Sequence, residues 1–231
     1  LKNDEAAKKS RDLLIKEGVI KPDNIELGAH TDKFIKKSDY MVVSPGVRRD
    51  AMPIKLAEAN KIPVISELEL AYTMCPASTP IIAVTGTSGK TTTITLIGQM
   101  LKSSGLDAIV CGNIGNPFSG EINRIKKDSI VVLEVSSFQL ELIDKFKPKV
   151  SIILNISDNH LDRHKDMHEY ISAKCRIFLN QDTKDVLFLN KNDEYLREIA
   201  CAVKRPRVEF FNEYKGFGQR RSILNEDFLS F

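Results

Sequence analysis

With 231 residues, 42% of them hydrophobic and 28% charged, the chain carries enough apolar material for one large domain or two small ones. Its net charge of +3 comes from interleaved lysines and carboxylates, not from a basic block, which argues against nucleic acid as the main partner. No apolar run approaches the roughly 18 residues of a membrane span, so a protein of the cytoplasm without a membrane anchor is expected.

Short apolar strands alternate with amphipathic helical stretches, the pattern of a mostly parallel sheet with helices on its faces. In chain order the strands are expected at YMVVS (Tyr40 to Ser44), IPVIS (Ile62 to Ser66), IIAVTG (Ile81 to Gly86), AIVCG (Ala108 to Gly112), IVVLEVS (Ile130 to Ser136), VSIILNIS (Val150 to Ser157) and VLFLN (Val186 to Asn190). DAMPIKLAEANK, TTTITLIGQMLKSS, MHEYISAKCRIFL and NDEYLREIACAV place apolar residues three or four apart, as helices do. Cys75-Pro76-Ala77-Ser78-Thr79-Pro80 breaks this rhythm with two prolines and small polar residues, which places a domain joint there: residues 1–75 on one side, 76–231 on the other. The four cysteines, Cys75, Cys111, Cys175 and Cys201, have no CxxC spacing and read as reduced thiols. The chain opens without a methionine and stops in EDFLSF, inside an expected strand, so truncation at both ends is expected.

The junction between the strand at Ile81 and the helix at Thr91 reads VTGTSGKTTT. Glycines let backbone N–H groups approach an anion, and a helix N-terminus adds partial positive charge. Gly86, Thr87, Ser88, Gly89, Lys90, Thr91 and Thr92 are thus candidates for binding a nucleoside triphosphate, Lys90 on its phosphates and the Thr91 hydroxyl on Mg²⁺. The loop is shorter than a standard Walker A motif: the position six before Lys90 is Val84, and the first glycine, Gly86, stands only four before it.

Such a site needs further ligands at neighbouring strand ends. Gly112-Asn113-Ile114-Gly115 forms a tight loop after one strand, and Glu134 lies in an apolar run where an unpaired carboxylate is costly. A metal partner removes that cost. His160, His164 and His168 are spaced by four, but the HExxH glutamate is missing and charged residues stand between them, so zinc is not expected. His160 is well placed at a strand end, whereas His164 and His168 read as surface residues. On its own, Lys174 reads as an ordinary helical lysine.

TGTSGKTTT, GNIGNPF, LEVSSFQLE, NISDNHLDRHKDMHEYISAKCRIF and DYMVVSPGV together resemble the Mur ligase family, the ATP-dependent amino-acid ligases of peptidoglycan precursor synthesis. The likeness runs from about Ile25 to Phe178 and is most like the branch that adds D-glutamate to UDP-N-acetylmuramoyl-L-alanine through an acyl phosphate. It implies an α/β fold: a partial Rossmann-like N-terminal domain that binds the UDP substrate (1–75), then an incomplete central P-loop ATPase domain with a mostly parallel sheet (76–231), with the C-terminal domain absent. It also implies ATP, two Mg²⁺ sites and a monomer acting on small-molecule substrates in cell-wall synthesis.

For single residues, the resemblance implies that Lys90 and the Gly86 to Gly89 backbone bind phosphates. Thr91 and Glu134 would hold one Mg²⁺; His160 and a CO₂-carbamylated Lys174 would hold a second. Asn113, Ser136 and His160 would face the muramoyl part of the substrate, and Ser44, Pro45 and Gly46 the uridine diphosphate. Asn159 departs from the family's usual aspartate. A chain lacking its end segments is expected to bind nucleotide weakly and turn over poorly or not at all. A folylpolyglutamate synthetase-like ligase, a P-loop kinase or NTPase, and a nucleotide-binding module without chemistry are the alternatives; an SSFQLE segment and an SPG loop are not expected of the first.

Overall fold

The computed structural model describes residues 5–28, 30–157 and 164–212. Contacts divide the chain into two compact units, Leu1–Val43 with Val47–Ile65, and Ser44–Gly46 with Ser66–Phe231.

In the first unit, helices α1 (Glu5–Lys16) and α2 (Asp32–Ile35) precede strand β1 (Met41–Val43), helix α3 (Met52–Ala59) and strand β2 (Val64–Ser66), which joins β1 in a two-stranded sheet. Its small core uses Ile35, Val43, Ile54 and Ala57. Thr31 caps α2 by accepting from the Phe34 N–H, and Asn60 at the end of α3 donates to Asp32 at 2.8 Å.

The second unit starts with helix α4 (Glu67–Met74), then strand β3 (Ile81–Thr85), helix α5 (Lys90–Ser103), strand β4 (Asp107–Gly112), helix α6 (Phe118–Glu121), strand β5 (Ser129–Glu134) and helix α7 (Ser137–Glu141). Strand β6 (Val150–Ile153), helix α8 (Met167–Cys175), strand β7 (Val186–Asn190), helix α9 (Glu194–Ala202) and strand β8 (Arg207–Phe211) follow. The strands form one sheet in the order β4-β5-β3-β6-β7-β8 with every neighbouring pair parallel. The fold is therefore α/β with a mostly parallel sheet. Every residue of β3 and of β5 is buried, as strands covered on both faces must be.

Alternation along β3 sends Ile82 and Val84 to one face, where they meet Ile94 and Leu101 of α5, and Ile81 and Ala83 to the other, which holds Leu140 of α7, Tyr170 and Ile177. Chain order turns at β3: the path leaves it outward past β5 to β4, and later departs from β6 outward to β7. The crevice between the carboxyl ends of β3 and β6 is thus the switch point, where open α/β sheets take ligands. The register Val84↔Glu134 and Gly112↔Glu134 brings the ends of β3, β4 and β5 level at the same edge.

The division between units falls before α4, earlier than the proline-rich stretch where composition placed it. Glu69, 2% exposed on α4, explains the difference: its carboxylate accepts the Asp144, Lys145 and Phe146 N–H groups at 3.0, 2.8 and 3.0 Å. Leu68 and Ala71 join the core around Phe146, and Tyr72 packs edge-on against the Phe146 ring at 5.5 Å. These bonds span more than seventy positions and leave no local trace in the sequence. Strand β8 was not expected either, since RVEFF is half-exposed and reads as neither a run nor a clean alternation. The expected strand at Val150 to Ser157 stops at Ile153, and the residues after it turn toward the loop following β3.

Candidate active site

Gly86 to Gly89 connect β3 to α5 at the switch point. Gly86 has φ +152° and a Cβ there would lie 3.0 Å from the Leu154 Cβ; Gly89, at φ +80°, is the N-cap of α5 and has no side chain to cap it. The first-turn N–H groups of α5 are therefore left uncapped by the chain, the arrangement that favours an anion. The Thr87 and Ser88 amides, by contrast, are used by the protein: Thr87 N–H donates to the Asn155 carbonyl at 3.0 Å and Ser88 N–H to Asn155 Oδ1 at 2.9 Å. Two amides of the loop are thus occupied within the chain, and the uncapped N–H groups lie at the start of α5.

Two ammonium groups converge on the Gly86 carbonyl oxygen. Lys90 Nζ donates to it at 2.9 Å and to the Thr87 carbonyl at 3.1 Å, while Lys174 Nζ, on α8, donates to it at 2.9 Å. Burial lowers the pKa of Lys90, an effect that nearby Glu134 opposes. Lys174 is 2% exposed and sits 4.5 Å over the Tyr170 ring; burial, and then the charge on Lys90, bring its pKa down to about 7. This is no ordinary surface lysine.

Glu134 ends β5 with 1% exposure. Its Oε2 accepts the Thr91 hydroxyl at 2.7 Å and its Oε1 accepts Asn113 Nδ2 at 3.3 Å, so neutral donors hold it and lone pairs remain for a cation. Gly112 makes the approach possible: its φ is +123° and a Cβ would stand 2.2 Å from the Glu134 carbonyl oxygen. Among the described residues no group of three His, Cys, Asp or Glu side chains could hold a metal. A carboxylate beside a hydroxyl instead fits Mg²⁺, which binds through one or two protein oxygens together with substrate phosphates.

The structure thus brings Lys90, Thr91, Asn113, Glu134 and Lys174 to one edge of the sheet. Thr92 follows in the first turn of α5 and is exposed. Ser136 lies beyond Glu134, and its hydroxyl and backbone form a capping box with Gln139 at the start of α7, which gives the SSFQLE segment a structural reason. Ser44, Pro45 and Gly46 lie in the turn after β1. His160 and Asn159 lie outside the described residues. His168 is exposed on α8, as expected.

His164 corrects the sequence reading. It is 2% exposed rather than a surface residue: Nε2 and Ser137 Oγ share a hydrogen bond of 2.9 Å, and Nδ1 stands 3.6 Å from Glu141 Oε1. Its ring stacks on Phe138 at 5.3 Å and tilts against Tyr170 at 5.3 Å. Local charge suggested a solvated face; the ring instead fills the space between α7 and α8.

Tyr170 and Asn155 were also missed. The Tyr170 hydroxyl and Thr87 Oγ1 share a hydrogen bond at 3.1 Å, tying α8 to the loop. For Asn155 the available signal was a polar residue interrupting the apolar run LNIS at a strand end.

A parallel α/β sheet with a glycine loop, a paired lysine and a buried carboxylate at its switch point defines a nucleotide-binding domain of the P-loop kind. A family model described as the Mur ligase middle domain matches residues 84–226, and the chain belongs to the Mur ligase family. It is 45% identical over 191 residues to the UDP-N-acetylmuramoylalanine--D-glutamate ligase of Pelotomaculum thermopropionicum, covering 83% of this chain and 41% of that protein. With the same-named ligase of Caldicellulosiruptor bescii it is 48% identical over 179 residues, covering 78% of this chain and 39% of that protein. The chain spans about two fifths of the length of these relatives.

Solved structures of similar fold include two ligases. They are the UDP-N-acetylmuramate:L-alanyl-gamma-D-glutamyl-meso-diaminopimelate ligase from Neisseria meningitides (TM-score 0.56, 18% identity, 79% of this chain and 60% of that one) and the MurF ligase from Thermotoga maritima in complex with ADP (0.51, 21%, 76% and 48%). Among the described residues no helix is long and apolar enough to cross a membrane.

Proposed function

We propose that this chain is the nucleotide-binding core of an ATP-dependent ligase that joins D-glutamate to UDP-N-acetylmuramoyl-L-alanine in peptidoglycan precursor synthesis. The observation that carries the reading is the cluster of Glu134, Thr91 and Lys90 beside the uncapped start of α5, in a chain 45% identical to a ligase of that name.

In this reading the uncapped N–H groups of α5 and the Lys90 ammonium bind the phosphates of ATP. Thr91 and Glu134 would hold a Mg²⁺ ion, which would supply positive charge to balance the phosphates. The substrate carboxylate attacks the γ-phosphorus, ADP leaves, and the amine of D-glutamate then displaces phosphate from the acyl phosphate. Most of the protein's contribution is positioning and charge. Lys90 and Lys174 share one carbonyl oxygen in the structure, so converting Lys174 to an anion would relieve a like-charge contact.

Lys174 fits carbamylation. With a pKa of about 7, a large share of its amine is neutral near pH 7 and can attack CO₂, losing one proton and becoming an anion. The Thr85 hydroxyl, fully buried and without a hydrogen-bond partner, lies by alternation on the β3 face that holds Tyr170, and it supports the arrival of a further oxygen there. The carbamate and His160 would hold a second Mg²⁺. Asn113, Ser136 and His160 would face the muramoyl group, and Ser44, Pro45 and Gly46 the uridine diphosphate. The unit that ends before α4 would belong to a UDP-substrate domain and the unit that begins with α4 to the ATPase domain, in a cytoplasmic monomer with no nucleic-acid partner.

Phosphate release from Mg-ATP by the full-length protein tests this. Release should require both UDP-N-acetylmuramoyl-L-alanine and D-glutamate. Equal release with L-glutamate and a folate, or with no acceptor, would replace the reading with a folylpolyglutamate synthetase-like ligase or a plain NTPase.

A further inference from the structure

One side chain from the opposite lip of the crevice makes a pair of hydrogen bonds to the loop between β3 and α5. Asn155 pairs with both sides of the Ser88 residue: its Oδ1 accepts the Ser88 N–H at 2.9 Å and its Nδ2 donates to the Ser88 carbonyl at 3.2 Å. Its own carbonyl accepts the Thr87 N–H at 3.0 Å. Two residues on, the Ser157 N–H donates to Thr87 Oγ1 at 3.0 Å. The segment that delivers these bonds is braced in turn from β7 and α9. Asp193 caps α9 with one oxygen, accepting the Leu196 N–H at 3.1 Å, and with the other accepts the Ile156 N–H at 2.7 Å. Asn190 Nδ2 donates to the Leu154 carbonyl at 3.2 Å.

We infer that Asn155 is the positioning residue that pre-shapes the phosphate loop, so that nucleotide affinity depends on a side chain from the end of β6 that need touch no phosphate. A loop of this kind has two glycines and no side-chain cap on the helix it feeds, so left alone it would sample many conformations. Ordering it at the moment of binding would subtract from affinity, and Asn155 removes that cost beforehand. The arrangement also divides the loop's amides: Thr87 and Ser88 serve the scaffold, while those at the start of α5 stay open to the ligand. The shortness of the loop fits this division, since a clasp across the crevice does the shaping that extra loop residues would otherwise do.

The inference rests on the nucleotide-binding reading, and its test separates the two. Amide hydrogen exchange at Ser88 is followed without ligand, and Mg-ADP is titrated calorimetrically, for the full chain, Asn155→Ala, Asp193→Ser and, as a reference for lost phosphate contact, Lys90→Ala. In Asn155→Ala, Ser88 should exchange at least about tenfold faster and the Kd for Mg-ADP should rise about tenfold, the scale of one or two lost hydrogen bonds. Amides in the last turns of α5 should exchange as before, which a general loss of stability would not allow. Asp193→Ser keeps a capping oxygen for α9 but is too short to reach Ile156 as well, so both readouts should move the same way by about threefold.

Unchanged exchange at Ser88 in Asn155→Ala, or faster exchange with an unchanged Kd, would overturn the inference. If Asn155→Ala does not fold, the same two results in Asp193→Ser decide it. A wild-type chain with a protected Ser88 that takes up no Mg-ADP would overturn the nucleotide reading, and the affinity claim with it.

Discussion

Replacing Lys174 by methionine should make the protein more stable at pH 6, with an advantage that shrinks as the pH rises. The side chain is 2% exposed and its pKa is brought from 10.5 down to about 7, first by burial and then by Lys90. Because the folded-state value is the depressed one, folded and unfolded chains both carry the charge below about pH 7, and the full cost of burying it is present. Between about pH 7 and the unfolded value the unfolded chain binds the extra proton, so stability climbs by about 1.4 kcal/mol per pH unit. Over the whole window this amounts to at most about 5 kcal/mol. Methionine matches the length without the charge and forfeits the bond to Gly86 and the cation–π contact with Tyr170, so it should lead the wild type by about 2–4 kcal/mol at pH 6. Urea unfolding at pH 6, 7, 8 and 9 in CO₂-free buffer measures the gap, and added bicarbonate should stabilise only the wild type, above pH 7. A gap that stays constant from pH 6 to 9 would refute the reasoning.

Three further substitutions probe the scaffold and the proposed metal site. Glu69→Gln turns an amide NH₂ toward backbone N–H donors, so it should cost about 2–4 kcal/mol in denaturant unfolding; a loss below about 0.5 kcal/mol would mean the three bonds at Glu69 carry little. Gly112→Ala drives a Cβ into the Glu134 carbonyl at a φ of +123°, and should cost about 3 kcal/mol while lowering phosphate release; wild-type stability would show that the two strand ends can part freely. Glu134→Gln keeps an acceptor for Thr91 but loses the charge. It should weaken ADP binding about tenfold with Mg²⁺ present and hardly at all with EDTA, and an equal loss in both conditions would remove Glu134 from the metal site.

Much of the site was legible because its signals are local. Gly86, Gly89 and Lys90 announce a loop that approaches an anion, and Glu134 stands out as a carboxylate in an apolar run. The strands of the sheet followed from apolar runs bounded by turn residues, with β8 the exception at the half-exposed edge. What escaped lies in contacts between distant positions. Asn155 meets Ser88 across 67 positions, and Glu69 meets the turn before β6 across 75 to 77. His164 misled because its neighbours in sequence are charged, whereas its neighbours in space are Phe138 and Tyr170. Lys174 could not be told from any helical lysine by pattern; only its resemblance to a family member, and then its burial against Tyr170 and Gly86, set it apart.

The central claim is that the start of α5, Lys90 and Glu134 meet on one nucleotide. A crystal structure grown with Mg-ADP tests it most directly. The β-phosphate should lie about 3 Å from the Lys90 and Thr91 N–H groups, with the metal about 2.1 Å from Thr91 Oγ1 and Glu134 in its shell. Nucleotide bound away from the β3–β6 crevice, or bound there with Glu134 turned from the metal, would contradict the account.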